Sequence, residues 1–288
     1  MRTVPILFGG FLILGMAGAE KCNSIPGAEQ LWLNASIHWL LIGEVHGSNE
    51  TPRAFADLVC DALAHGRNVT VALERPTSEQ LALDGVLTKN DLVEAQKTLL
   101  AQHGWREVMD GRASEAMLRL LLTLRELRKK HRSLAVMAFD APFSGEEPGA
   151  RDKVLGETLL ALGKAHPKNL IVALTGNIHA MQSPQFGYDV AAMYLPARER
   201  MSLEVTDTGG ESWTNSNGAC GPSKGGVQTK GKNLPFGIFL DPSLAPYAKV
   251  DGVLSLGAPL TSSAPAAGEP SPPPPCRIKY LSEHPDQP

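Results

Sequence analysis

Two stretches of this chain end in the same way. Leu41-Ile42-Gly43-Glu44-Val45-His46 and Leu174-Thr175-Gly176-Asn177-Ile178-His179 each run through apolar residues to a glycine, two more residues and a histidine. Imidazole titrates near neutrality and serves as general base, general acid or metal ligand. Glu44 stands two residues before His46, near enough to orient its ring. Glu74 follows the apolar run Val69-Thr70-Val71-Ala72-Leu73, and Asp140 follows the run from Ser133 to Phe139. Carboxylates beside histidines suit proton transfer. With metal, Glu44, His46 and His179 would supply the nitrogen and oxygen ligands of an open, water-activating site. Arg53 and Arg75 flank these positions and could grip a substrate carboxylate or phosphate through a planar fork. Gly43 and Gly176 are expected to let the chain leave each strand in conformations barred to other residues.

Each residue also has a plainer reading. A strand-end histidine often only bonds a turn, Glu74 beside Arg75 could be an ion pair, and Asp140 before Ala141-Pro142 is an ordinary turn former. His65, His131 and His166 fall near helix C-termini, where a cation meets the dipole favourably, and need no further role. What favours chemistry is the joint placement of Glu44, His46, Glu74, Asp140 and His179 after strands.

The elements that would position them follow from hydrophobic patterning. Apolar runs at 38–42, 69–73, 133–139 and 170–174 read as buried strands, and helical periodicity covers Pro52 to Ala64, Ser114 to Lys130 and Arg151 to Ala165. The alternation predicts an α/β fold with a mostly parallel central sheet flanked by helices. In such sheets ligands bind outside the carboxyl ends of the strands. Ser48 or Asn49 could cap the helix opening at Pro52, aiming its amide N–H groups at a developing oxyanion. A helical insertion is expected from Thr77 to His103, as a lid or as a packing layer. Residues 209–233, rich in Gly, Ser, Asn and Lys, read as a loop excursion closed by an edge strand at Phe236 to Leu240. Beyond Ala258 the Ala, Ser and Pro composition predicts a disordered or extended tail, so the domain is drawn as 20–257 with a Pro-rich tail at 258–288.

Arg2, the apolar stretch Val4 to Met16 and Ala17-Gly18-Ala19 form a signal-peptide pattern over 1–19, so an exported, periplasmic or extracellular protein is expected. That stretch is shorter than the roughly 20 apolar residues a spanning helix needs, so no stable membrane insertion is expected. A net charge of -3 with scattered Lys and Arg disfavours nucleic acid and leaves a small molecule or peptide as the expected partner. Four dispersed cysteines, Cys22, Cys60, Cys220 and Cys276, allow two disulfides in three connectivities, among which Cys220 with Cys276 would tie down the C-terminal region. The sequons at Asn34, Asn49 and Asn68 read as chance. Gly221-Pro222-Ser223-Lys224-Gly225 matches a nucleophile elbow in letters but lacks the flanking strand and helix. Zincin, P-loop and dinucleotide fingerprints are absent.

Gly43-Glu44-Val45-His46-Gly47, Ala72-Leu73-Glu74-Arg75 and Thr175-Gly176-Asn177-Ile178-His179-Ala180 resemble the superfamily joining erythromycin esterases, ChaN-like haem-binding proteins and Tiki/TraB proteins, over roughly Ile37 to Leu203. The first motif is one residue shorter than the esterase pattern and closer to the ChaN form. The resemblance implies a crevice at these strand ends and maps functional residues onto Glu44, His46, Glu74 and His179. It leaves two functions open, since members hydrolyse esters or peptides, use metals or bind haem. One is a hydrolase with His46 as base, oriented by Glu44 or Glu74, and with His179 or Arg75 facing the developing charge. The other is a non-enzymatic haem or iron binder, for which Tyr188, Tyr194, Tyr247 and Tyr280 are the tyrosines available.

Overall fold

The computed structural model describes residues 22–142, 147–227, 229, 233–246 and 249–285. The expected signal peptide and Tyr247 lie outside the described residues.

In chain order the elements are α1 (Glu29–Leu33), β1 (Trp39–Glu44), α2 (Glu50–Ala64), β2 (Val69–Pro76), α3 (Gln80–Thr88), α4 (Leu92–Leu100), α5 (His103–Arg106), α6 (Glu115–Lys130), β3 (Ala135–Asp140), α7 (Ala150–Ala165), β4 (Leu170–Gly176), α8 (Asn177–Ala180), β5 (Arg200–Thr206), β6 (Glu211–Ser216), β7 (Ala219–Lys224), β8 (Gly237–Phe239), β9 (Gly252–Ser255) and α9 (Pro275–Glu283). Seven strands form one sheet in the order β3-β2-β4-β1-β5-β9-β8, parallel except for β8, which runs antiparallel to β9 at the edge. The α/β reading therefore holds, including the edge strand near Phe236.

Alternation along each strand explains why both faces are covered. Leu40 and Ile42 of β1, with Val172 and Leu174 of β4, pack into a core shared with Phe55 and Leu58 of α2 and Leu120 and Leu124 of α6. Trp39 and Leu41, with Ile171 and Ala173, pack the other way against Leu155 and Leu159 of α7. The Trp39 indole nitrogen donates to the Leu159 carbonyl at 3.0 Å, so this large ring is buried without an unpaired donor.

The insertion after β2 is a packing layer. Leu83 and Val86 of α3 and Leu99 of α4 are fully buried in the larger core, and α3 lies against α6 and β3.

Two expectations need correction, and a third is made specific. Residues 211–224 form a two-stranded antiparallel hairpin, β6 with β7, rather than a loop, and the Cys220–Cys276 disulfide ties it to α9. The second disulfide joins Cys22 to Cys60 on α2, which selects one of the three connectivities. Residues 259–285 are neither disordered nor free. Thr261 donates to Glu50 through its backbone N–H at 2.9 Å, the Ser263 hydroxyl accepts from the Ala116 N–H at 3.0 Å, and α9 buries Arg277 and Tyr280. Composition missed this because the tail is held by polar and backbone bonds and one disulfide, not by an apolar stripe.

Candidate active site

The carboxyl ends of β1, β2 and β4 meet at one cleft of about 350 Å³, and the first turn of α8 completes its floor. Register explains the convergence. β4 lies between β1 and β2, with Gly43 opposite Thr175, Glu44 opposite Gly176 and Leu73 opposite Leu174, so Glu74 and Glu44 end on either side of Gly176.

Glu44 is 4 % exposed and its Oε1 lies 3.0 Å from His46 Nδ1, which fixes the ring. With Nδ1–H donated to Glu44, Nε2 is the nitrogen left to face the cleft, 3.8 Å from Glu74 Oε2. Glu74 is the hub. Its Oε2 accepts from the Thr175 hydroxyl and the Gly176 N–H, both at 2.7 Å, while Oε1 accepts from Arg151 Nη2 at 2.7 Å and Arg112 Nη1 at 3.1 Å. Across the cleft His179 Nδ1 contacts Asp152 Oδ1 at 2.6 Å, and its Nε2 faces Arg151 Nη1 at 2.8 Å. Arginine can only donate, so this pair makes His179 Nε2 an acceptor and Nδ1 the protonated nitrogen.

Charge follows from burial and partners. Burial opposes the ionised form of Glu74, but His46, His179, Arg112 and Arg151 hold it well below the usual carboxylate range. Asp110 is likewise lowered despite burial, by Arg112. Burial disfavours the His46 imidazolium, yet the Glu44 hydrogen bond and the charges of Glu74, Glu44 and Asp110 outweigh it and raise this group. Glu44 is itself raised, its burial exceeding the help from His46.

Of the residues foreseen from sequence, Glu44, His46, Glu74 and His179 line this cleft. Asp140 sits just behind it, with Oδ2 accepting from Arg112 at 2.9 Å and Arg151 at 2.7 Å. Arg75 does not reach a substrate. It is 2 % exposed, forked onto Glu79 at 2.8 and 2.9 Å, stacked 4.6 Å from Trp105 and donating to the Arg112 carbonyl. Arg53 lines a separate groove between α2 and α6. The first turn of α2 borders that groove too, and its Thr51 N–H is met by the Ser48 hydroxyl, so its amides do not face the cleft. Gly43 and Gly176 have ordinary negative φ; what they supply is room. A Cβ on Gly176 would stand 3.2 Å from His46 Nε2 and 3.5 Å from His179 Cδ2.

Arg112, Asp110, Arg151 and Asp152 escaped the sequence reading, as did Thr214 and Asn215, which the β6–β7 hairpin brings to the rim. The available signal was position: Arg151-Asp152 opens the helix after the β3 strand end, where a crevice residue belongs.

The residues present do not fit a metal held by Glu44, His46 and His179. The Arg151 guanidinium already contacts His179 Nε2 and Glu74, and Glu44 is turned onto His46 Nδ1. Among the described residues no three His, Cys, Asp or Glu side chains are grouped to hold an ion. Nor does the cleft suit haem. Among the described residues Val45 and Ile178 are its only aliphatic walls, and Tyr188, Tyr194 and Tyr280 do not line it.

No protein-family model matches the sequence, and no curated protein matches it at the level expected of a relative. Solved structures do share the fold. A succinoglycan biosynthesis protein superposes with a TM-score of 0.55 at 9 % identity, over 83 % of this chain and 91 % of that one. An erythromycin esterase, EreC, in its open conformation superposes with a TM-score of 0.53 at 10 % identity, over 80 % of this chain and 90 % of its own. At these identities the likeness is one of fold, and it places this chain with an esterase in architecture alone.

Proposed function

We propose that this chain is a hydrolase of ester or peptide bonds in which His46 is the general base. One observation carries the reading: His46 is held through Nδ1 by a buried carboxylate while Nε2 faces a polar cleft backed by two arginines. In this mechanism Nε2 takes a proton from water and the hydroxyl oxygen bonds to the substrate carbonyl carbon. The carbonyl π pair moves to oxygen, where the Arg151 and Arg112 side supplies positive charge. Collapse of the tetrahedral species expels the alcohol or amine, which recovers the proton from His46. His179, fixed by Asp152, orients Arg151. The resemblance of the Gly43–Gly47 and Thr175–Ala180 motifs to erythromycin esterases and their relatives supports the same class, and the shared architecture of EreC is consistent with it.

Two disulfides suit an oxidising compartment, which supports an exported protein. Among the described residues no helix is long and apolar enough to cross a membrane.

The test is hydrolysis of a panel of chromogenic esters and short peptides by the mature chain and by His46→Gln. A loss of about 10²–10⁴ in kcat/KM with an unchanged circular dichroism spectrum is expected. Equal activity in the two proteins would remove His46 from the mechanism.

A further inference from the structure

Glu204, on β5, is a buried acid the mechanism does not use. It pairs in register with Gly43 of β1, so the two positions share a face of the sheet. That face lies under α8. A side chain at Gly43 would stand 2.9 Å from the Ala180 Cβ and 3.0 Å from the Asn177 Cα, so the first turn of α8 sits directly on this part of the sheet. Glu204 is 1 % exposed, and neither of its oxygens has an aligned hydrogen bond among the described residues. The side chain that meets it is Asn177. Asn177 Oδ1 is engaged by the Ile178 N–H at 2.9 Å, which leaves the amide nitrogen to face Glu204.

Among the described residues, no cation offsets this acid on the elements packed against it. On β1 the neighbour is Gly43, with Glu44 turned to His46, and β9 carries no ionisable side chain. On α8 the single titratable group, His179, is held by Asp152 and Arg151. Burial accordingly pushes the Glu204 carboxyl up to about 7, against the lowering contact of Asn177. An isolated carboxylate in such a place is costly, and the structure relieves it by staying neutral or by letting the covering turn move.

We propose that Glu204 is a proton-controlled positioning residue, whose neutral carboxyl supports Asn177 and the α8 turn that brings His179 to the cleft, and whose ionisation displaces that turn. The consequence for turnover rests on the hydrolase reading; the structural claim does not.

The mature chain, labelled with ¹⁵N, tests it by following the Asn177 side-chain amide, assigned by its absence in Asn177→Ser. In the wild type this resonance should move with a midpoint near neutrality. In Glu204→Gln it should stay at its acidic position across the same range, and in Glu204→Ala it should be displaced at every pH. Superimposable titrations of the Asn177 amide in wild type and Glu204→Gln would overturn the proposal. If the variants fail to fold, ¹³C-carboxyl labelling of glutamate in the wild type decides it. A carboxyl assigned to Glu204 by through-bond correlation to its own backbone and titrating near neutrality supports the proposal, and a Glu204 carboxyl titrating below about 5, in the ordinary range, refutes it. Where hydrolysis is measured, Glu204→Gln should extend kcat to higher pH; a profile identical to wild type would sever the link to turnover. Absence of hydrolysis in every protein, with the amide behaviour intact, would sink the hydrolase reading alone.

Discussion

At the scale of the residue, the cleft is a balance of charges around Glu74. The carboxylate is ionised because two arginines and two imidazoles surround it, and its charge is one reason His46 keeps its proton to higher pH. A base acts only when deprotonated, so the rising limb of kcat/KM should report His46 at a raised value. Removing the Glu74 charge by Glu74→Gln should move that limb to lower pH and lower the plateau, as measured by full pH-rate profiles; a limb that does not move would separate His46 from the observed ionisation. Four residues of this cleft were legible because strand ends concentrate chemistry: Glu44, His46, Glu74 and His179. Arg112 and Arg151 were not, since the partner of a buried carboxylate is chosen by distance across the fold. Arg75 was misjudged for the same reason, its guanidinium being taken up by Glu79 rather than offered to solvent.

At the scale of the element, the strands that read as continuous apolar runs were found and those with a polar inner face were not. In β5, Met201, Leu203 and Val205 alternate with Ser202, Glu204 and Thr206, and the second set is as buried as most of the first. That pattern normally marks a half-solvated strand, and here polar groups occupy the inside. The β6–β7 hairpin escaped for a related reason. Its polar composition gives no core signal, and it is secured by the Trp213 N–H to Gly47 carbonyl bond at 2.9 Å and by its disulfide. Because Thr214 and Asn215 line the cleft, loosening the hairpin should act on binding. Cys220→Ser with Cys276→Ser should cost about 2–4 kcal/mol in urea unfolding and raise KM more than it lowers kcat. An unchanged KM would show that the hairpin does not touch substrate.

At the scale of the whole molecule, the C-terminal segment belongs to the folded body. The Gly47 carbonyl accepts from both Trp213 and Ser263 N–H groups, and Glu115 donates to the Ala264 carbonyl at 2.8 Å. A chain ending at Gly257 should therefore melt at a lower temperature by calorimetry and lose hydrolysis, where a dispensable tail would change neither. Stability should also vary with pH in two opposed ways. Glu74 and Asp110 are lowered in the folded state, so their contribution is present above the ordinary carboxylate range and is lost as pH falls through their folded values. Glu204 is raised, so its contribution is complete below its unfolded value near 4.5 and is lost as pH rises towards about 7. Urea unfolding across pH should peak on the acid side of neutrality, and Glu204→Gln should flatten the decline above it. The sheet order has a kinetic meaning as well. β1 forms no ladder with β2, its neighbour in sequence, and both wait for β4, whose Ile171 pairs with Trp39 from far along the chain. Such distant pairing comes late in folding. The half of the site on β1 and the half on β2 and β4 thus stay apart in a nascent or partly unfolded chain, and a site built this way is incomplete until the fold is.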